Sequence, residues 1–393
     1  MKISTLAAFG ALSVASAFSA RAQTVTVDGI LNANEIGAAS AGKYVVLGTY
    51  PYAHGFGDAG LLSLYAANSA TKIYLFLGGT LQPYKDGTNS FQIYLSVPGL
   101  IGAPTGTALP SPMSGATSFG KMNGKLDQAA QLGIAIHTNG TTGQYQVEGV
   151  SYTYTSVTAA TDQVLTAAAS PVVDTGAPIT LAVSGAFAPF NGARVAYRNT
   201  TDGKIQSNPG YAAPGTAGAV YGAAGTYGLE IEIDRTALGI LVGTPVLNLF
   251  ALQNNGGGDY ASSDYIPNAV APAAPNLAKN PDFTTIAGTQ SAMFTLATAL
   301  ATKTADEAAV ALSVFPNPAT GRAVVAYRVL GKAAAVRIVL TDLLGRQVRV
   351  LESNTKPVGL QSTVLDAGAV TAGIYLVRAQ VGEQAAVRKL VVE

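Results

Sequence analysis

Apolar residues recur in runs of 5–8 along most of the chain, and Gly, Asn, Asp or Pro interrupts each run. KYVVLGTY, LLSLYAA, TKIYLFLGGTL and SFQIYLSVPG come first. After a loop-like stretch (LIGAPTGTALPSPMSGATSFGKMNG) follow QLGIAIHT, QYQVEGVSYTYTS, PITLAVSG, GARVAYRN, TYGLEIEID, PVLNLFALQN and SAMFTLAT. Short runs separated by turn residues predict antiparallel strands at the rhythm of a β-sandwich. Only two stretches, near Lys125–Leu132 and Asp234–Gly239, read as short helices, and no repeat of fixed period is present.

At Phe315 the punctuation changes, with FPNPATGRAVVAYRVL. Pro316 and Pro318 hold the entry extended, because a proline biases the residue before it away from helix. AVVAYRV, VRIVLTD, QVRVLES, STVLDAG, GIYLVRAQV and VRKLVV then read as strands. In TDLLGRQV, Asp342 starts a turn and Gly345 suits its left-handed position. About 80 residues with six or seven short strands predict a small immunoglobulin-like sandwich. The expected fold is therefore all-β: a large antiparallel jelly-roll-like body, then a small immunoglobulin-like sandwich. The expected boundaries are a body at 23–300, a linker at 301–312 and a tail at 313–393.

Charge supports this division. From Gln23 to Ala305 there are 11 Lys/Arg against 15 Asp/Glu, and from Asp306 onward 10 against 7. Only 11% of the 393 residues are charged, and Gly (44), Ala, Thr and Ser fill the space. Exposed helical faces need more Glu, Lys and Arg than that. A net charge of +1 gives no electrostatic footprint for nucleic acid or an anionic membrane. The opening MKISTLAAFGALSVASAFSARAQ has a basic start, an apolar run and an A-x-A site at Ala20–Ala22, which predicts a signal peptide over residues 1–22. No later segment reaches the roughly 18 uninterrupted apolar residues of a membrane-spanning helix. With no cysteine, disulfides, thiol catalysis and zinc-thiolate sites are excluded.

The tail carries a resemblance. FPNPATG, LTDLLGRQV, AGIYLVRAQVG and the closing KLVVE occur in the order seen in type A C-terminal sorting domains of the bacterial type IX secretion system. The matching residues are Pro316, Asn317 and Pro318 at the entry, Asp342 and Gly345 at the turn, and Gly373 and Tyr375 on a late strand. Lys389 is expected just before the last strand. The resemblance implies passage of the inner membrane through the signal peptide and recognition of the tail by the type IX machinery. The body would then be released outside the cell or held at its surface.

The body more weakly resembles family nine carbohydrate-binding modules and DOMON-like jelly rolls. VTVDGILNANEIG supplies a D-G turn (Asp28, Gly29) before an acid (Glu35), and YGLEIEIDRTALG supplies a glutamate strand ending in Leu-Gly. The tryptophan usual after the acid is missing, and Asp234-Arg235 replaces a proline. The resemblance implies a sugar-binding role. Haem, which some DOMON-like domains hold, has Met113, Met122, His54 and His137 available without any spacing that joins two of them.

Sugar recognition needs flat rings for pyranose faces and amides or carboxylates for hydroxyls. The body holds 16 of the 18 tyrosines, and Tyr50, Tyr52, Tyr84, Tyr211, Tyr260 and Tyr265 fall in loop-like segments. QNNGGGDYASSDYIPN is the best local candidate. Read as a long loop, it gives Asn254, Asn255, Asp259, Tyr260, Asp264 and Tyr265 as ligand contacts. The plain alternatives are a polar hairpin loop and tyrosines that merely suit strands. Glu230, Glu232 and Asp234 alternate on one strand face, which reads as solvated; calcium would need six to eight converging oxygens. Asp58 with Asp259 and Asp264 leaves calcium open on the same footing, with no other cofactor implied. No G-x-S-x-G, H-E-x-x-H, P-loop or dinucleotide motif occurs, so no catalytic residue is assigned. The expectation is a non-catalytic polysaccharide-binding surface protein, with a structural or adhesin-type protein as the alternative and a glycoside hydrolase behind both.

Overall fold

The computed structural model describes residues 25–82, 89–154, 158–240, 246–297, 309–342 and 345–393. The expected signal peptide, Tyr84 and residues 301–308 of the expected linker lie outside the described residues. Strands in the body are β1 Val45–Thr49, β2 Gly60–Asn68, β3 Lys72–Thr80, β4 Asn89–Ser96, β5 Leu132–Thr138, β6 Gln144–Tyr154, β7 Thr158–Val164 and β8 Val172–Val173. They continue with β9 Ile179–Thr180, β10 Arg194–Tyr197, β11 Gly228–Asp234, β12 Val246–Asn255, β13 Tyr260–Ile266, β14 Asn276–Lys279 and β15 Ala292–Thr295.

These strands form two antiparallel sheets. One runs β1-β2-β3-β11-β10-β9; the other runs β14-β13-β12-β4-β5-β6-β7, with β15 beside β12 and β8 beside β6. A single apolar cluster takes Leu64, Leu75, Val195 and Ile231 from the first sheet and Phe91, Ile134, Val147 and Leu249 from the second. The two sheets therefore enclose one core, as in a sandwich.

Side-chain alternation explains why several runs look apolar throughout. On β12, Leu247, Leu249 and Ala251 face the shared core, whereas Phe250 and Leu252 join a second cluster with Tyr94, Phe119, Leu126 and Phe283. On β2 and β3, Tyr65, Ala67, Tyr74 and Phe76 face outward onto Val25, Leu31 and Tyr44. Both sheets are thus covered on their outer faces, one by the segment before β1 and the other by residues 103–130 and Phe283. A strand buried on both sides loses its polar alternation.

Three strands arise where polar sequence gave no signal: TAATDQV (β7), YASSDYI (β13) and NLAK (β14). Neither expected helix forms. Lys125 sits in bridges to Ala108 and Asp282, and residues 234–240 close a turn through Leu238 N–Asp234 O (3.3 Å) and Ile240 N–Arg235 O (2.9 Å). One turn of sequence cannot offset the cost of starting a helix. PITLAVSG pairs over Ile179–Thr180 only.

The tail has β16 Ser313–Phe315, β17 Arg322–Val329, β18 Ala334–Thr341, β19 Gln347–Lys356, β20 Gly359–Asp366, β21 Gly373–Val381 and β22 Gln384–Val392. Sheets β16-β17-β20 and β19-β18-β21-β22 share one core of Val325, Tyr327, Ile338, Leu340, Leu365, Val377 and Leu390. Each motif residue has a local task. Asn317 pairs like a short strand with β22, donating to Lys389 O (2.8 Å) and accepting from Val391 N (2.9 Å). Gly345 holds φ +83°, and Asp342 accepts from Arg346 N (2.9 Å) and Nε (2.6 Å). Gly373 opens β21, and Tyr375 donates to Thr371 O at 2.7 Å. Lys389 lies inside β22 rather than before it, because the last strand begins at Gln384.

Candidate ligand-binding surface

The expected loop QNNGGGDYASSDYIPN is a hairpin instead, the end of β12, a tight turn and β13. Asn255 organises the turn, its Oδ1 accepting from Gly258 N (2.7 Å) and Asp259 N (3.1 Å) and its Nδ2 donating to Asp259 Oδ1 (3.0 Å). Asn254 is buried and donates to Gly258 O at 2.8 Å. Gly258 has φ +83°, and a Cβ there would lie 1.9 Å from Ser118 O. The amides are therefore spent on the turn itself. Asp259 is held below the ordinary carboxylate range by Asn255, with Lys279 3.5 Å away.

Asp264 is fully buried and acts as an anchor. Its Oδ1 accepts from Gly55 N (3.0 Å) and Ser262 Oγ (3.0 Å); its Oδ2 accepts from Leu61 N (3.0 Å) and lies 2.5 Å from His54 Nδ1. The loop HGFGDAG is thereby tied to β13. Its glycines are required by close packing, since a Cβ on Gly55 would meet Pro275 O at 1.8 Å and one on Gly60 would meet His54 Nδ1 at 2.2 Å. With Nδ1 engaged, Nε2 is the His54 nitrogen left for any outside group. The His54 ring sits 5.5 Å from Tyr50 and 6.1 Å from Tyr211.

Tyr265 lies under the outer cover, 6.1 Å from Phe250 and 5.2 Å from Phe283, and burial pushes its hydroxyl up to about 12. It is not on the surface. Tyr50 is buried too, with its hydroxyl 2.9 Å from Ser263 Oγ. Tyr260 is 37% exposed and near-parallel to Phe56, at 16° with centroids 6.3 Å apart. Tyr52 and Tyr211 are half-buried, and the His54 side chain is almost fully enclosed. Of the six candidate residues, the structure leaves Tyr260 accessible, with Asn255 and Asp259 at its base, and turns Asn254, Asp264 and Tyr265 inward. Phe56 escaped the sequence reading, and His54 entered it only as an available haem ligand, although the glycines around them in HGFGDAG mark a tight loop.

The acids of β11 are not a solvated row. Glu230 is buried, with Oε2 accepting from Asp28 N and Gly29 N (both 2.9 Å) and Oε1 from Tyr44 OH (2.8 Å). Burial outweighs these donors and pushes its carboxyl up to about 8. Glu232 lies near Lys72 (3.7 Å) and Arg194 (3.6 Å), and Asp234 caps Thr236 N at 2.8 Å. Asp58 sits 3.5 Å from Lys204. No group of three or more His, Asp or Glu side chains suited to a metal occurs among the described residues.

A further buried carboxylate, Glu148 on β6, accepts from Ser118 N (2.7 Å), Ser118 Oγ (2.6 Å) and Gln146 Nε2 (2.6 Å), with His137 Nδ1 at 3.1 Å. Burial alone would raise its carboxyl. His137, Ser118 and Gln146 outweigh it and hold the group below its ordinary value.

No curated protein matches the chain. Among solved structures, dimeric latent PorU from Porphyromonas gingivalis is similar at 12% identity and a TM-score of 0.18, over 89% of this chain and 34% of that one. This chain thus spans about a third of that relative's length, and a likeness of that size carries no argument. The family model of the secretion system C-terminal sorting domain matches residues 313–393. That domain marks the protein for export by the type IX secretion system, and so for secretion and surface attachment.

Proposed function

We propose that the exported body is a non-catalytic polysaccharide-binding module. The observation that carries this reading is the near-parallel, partly exposed Phe56–Tyr260 pair, two residues along the chain from His54, whose ring lies 6.1 Å from that of the half-buried Tyr211. Offset rings at a loop surface suit the C–H faces of pyranose units, and the Asp259 carboxylate next to Tyr260 is placed to receive a hydroxyl. The alternative is a structural surface protein without a small ligand. It is favoured by Asn254, Asp264 and Tyr265, whose side chains are buried and face protein partners.

Titration of the full chain against plant, algal and bacterial polysaccharides, with and without calcium, separates the two. The expected result is saturable binding that weakens about fivefold in Tyr260→Ala and in Phe56→Ala, each removing a ring contact worth about 1 kcal/mol. A folded protein that binds nothing on the panel would sink the polysaccharide reading in favour of the structural one.

A further inference from the structure

At the other end of β12 from the aromatic loop lies a cavity of about 490 Å³, lined by Ser96, Asp127, Gln128, Asn248, Ser291 and Met293, among others. Its floor is a cross-strand row. Asn248 on β12 is paired with Ser96 on β4 and with Met293 on β15, so the three side chains share the outer face of the nine-stranded sheet. Asp127 and Gln128 line it from the cover of that face. Asp127 Oδ2 accepts from Gln290 N at 2.5 Å, and Gln128 Nε2 donates to Tyr94 O at 3.2 Å. The other polar atom of each, the second carboxylate oxygen Asp127 Oδ1 and the amide oxygen Gln128 Oε1, is buried without a hydrogen-bond partner. An unpaired buried acceptor costs about 1–3 kcal/mol, and because both oxygens are closed to solvent a donor from outside reaches them with a small shift of the cover.

We propose that this cavity is a second ligand site, for a neutral, hydroxyl-rich molecule the size of one or two sugar units. The lining decides the class. Among the described residues it holds no Lys or Arg, which leaves an anion without a counter-charge. Asp127 is the single carboxylate among them, too few for calcium, which gathers several carboxylates among six to eight oxygens. Hydroxyls can donate to Asp127 and Gln128 and accept from Asn248, Ser96 and Ser291, while Met293, 74% exposed, offers an apolar contact to C–H groups. The volume falls within the range of small-molecule pockets and exceeds what one or two waters need. The inference rests on the polysaccharide reading for the origin of the ligand, and not for the site.

Saturation-transfer NMR of the full chain with cellobiose, maltose, lactose and gentiobiose tests it. The variants are Asn248→Ala, which removes one amide, Ser291→Trp, which fills the space, and Tyr260→Ala at the distant loop, with thermal melts confirming folding. Saturable binding of at least one disaccharide is expected, weakened about tenfold by Asn248→Ala and abolished by Ser291→Trp, yet unchanged in Tyr260→Ala. If Ser291→Trp does not fold, Asn248→Ala decides alone. No binding by the wild type overturns the proposal, the cavity then holding water only. Binding that Tyr260→Ala abolishes and Asn248→Ala leaves intact also overturns it, while leaving the polysaccharide reading in place.

Discussion

The two sheets of the body solve one problem in two ways. Each has an outer face too apolar for water, each is covered by a segment distant in sequence, and each cover is hung on one buried glutamate. On the six-stranded sheet, Glu230 holds the Asp28-Gly29 turn about 200 residues away by backbone N–H groups and the Tyr44 hydroxyl. On the nine-stranded sheet, Glu148 holds Ser118 by N–H and hydroxyl, with His137 and Gln146 beside it. The difference is in the donors. Neutral donors do not repay the desolvation of Glu230, whose carboxyl stays protonated up to about 8. The imidazole and the additional amide and hydroxyl around Glu148 do repay it, and that carboxyl is held low.

Removing the anchors should give the largest effects. Glu230→Ala strands two backbone N–H groups and a tyrosine hydroxyl in the interior, at about 3–5 kcal/mol. Glu230→Gln keeps an acceptor for the turn and a donor toward Tyr44, and should lose only about 1 kcal/mol. Glu148→Ala should lose about 2–3 kcal/mol, because part of its donor set belongs to Ser118, which the moving cover can carry back to water. Denaturant unfolding of the three variants measures the order. Equal losses for Glu230→Ala and Glu230→Gln would mean that charge, and not hydrogen bonding, holds the first cover.

Acidity should separate the two covers in opposite directions. Unfolded, Glu230 ionises near 4.5; folded, near 8. Between those values the unfolded chain has released a proton that the folded chain keeps, so the stability contributed here is complete below 4.5 and falls as pH rises through 8. Glu148 has its folded value below 4.5, so its contribution is present above 4.5 and lost as pH falls through the lower folded value. Hydrogen exchange should find the Asp28 and Gly29 amides opening more readily from pH 5 toward 9, and the Ser118 amide opening more readily only in acid. Glu230→Gln should remove the first trend and spare the second. A Gly29 amide equally protected across the whole range would contradict the raised Glu230.

How much of this was legible in the chain follows from where each partner sits. The tail motifs could be read because their tasks are local or fixed by short turns: Asp342 and Gly345 act three residues apart, and Gly373 opens its own strand. Asn317 acts 72 and 74 residues away, yet its flanking prolines announced it. The body's runs marked their strands well, since a run apolar on both faces still shows as a run. Glu230 was misread as solvated because period-2 spacing says which face a side chain takes, not what covers that face. Asp264 and Asn254 were misplaced in a loop for a related reason. Polar residues read as loop unless their buried partners are known, and His54, Gly55 and Leu61 lie about 200 residues upstream. The cavity beside Asn248 had no local signal at all, because its lining comes from five separate segments.

The smallest predicted effect tests whether the first cover is one unit or two. Glu35 sits in the same segment as Asp28, accepting from Thr26 N at 2.7 Å and from Asn32 N at 3.3 Å and Nδ2 at 3.2 Å. Burial raises its carboxyl, against those donors. It caps its own short turn, where losing such a cap costs about 1 kcal/mol. If the segment peels off as a unit, Glu35→Ala should destabilise it by about that amount both alone and beside Glu230→Gln, the two losses adding. A combined loss well below the sum would mean that Glu35 matters only while Glu230 holds the turn, so that the cover closes from its Asp28-Gly29 end first and the acid at 35 locks it afterwards.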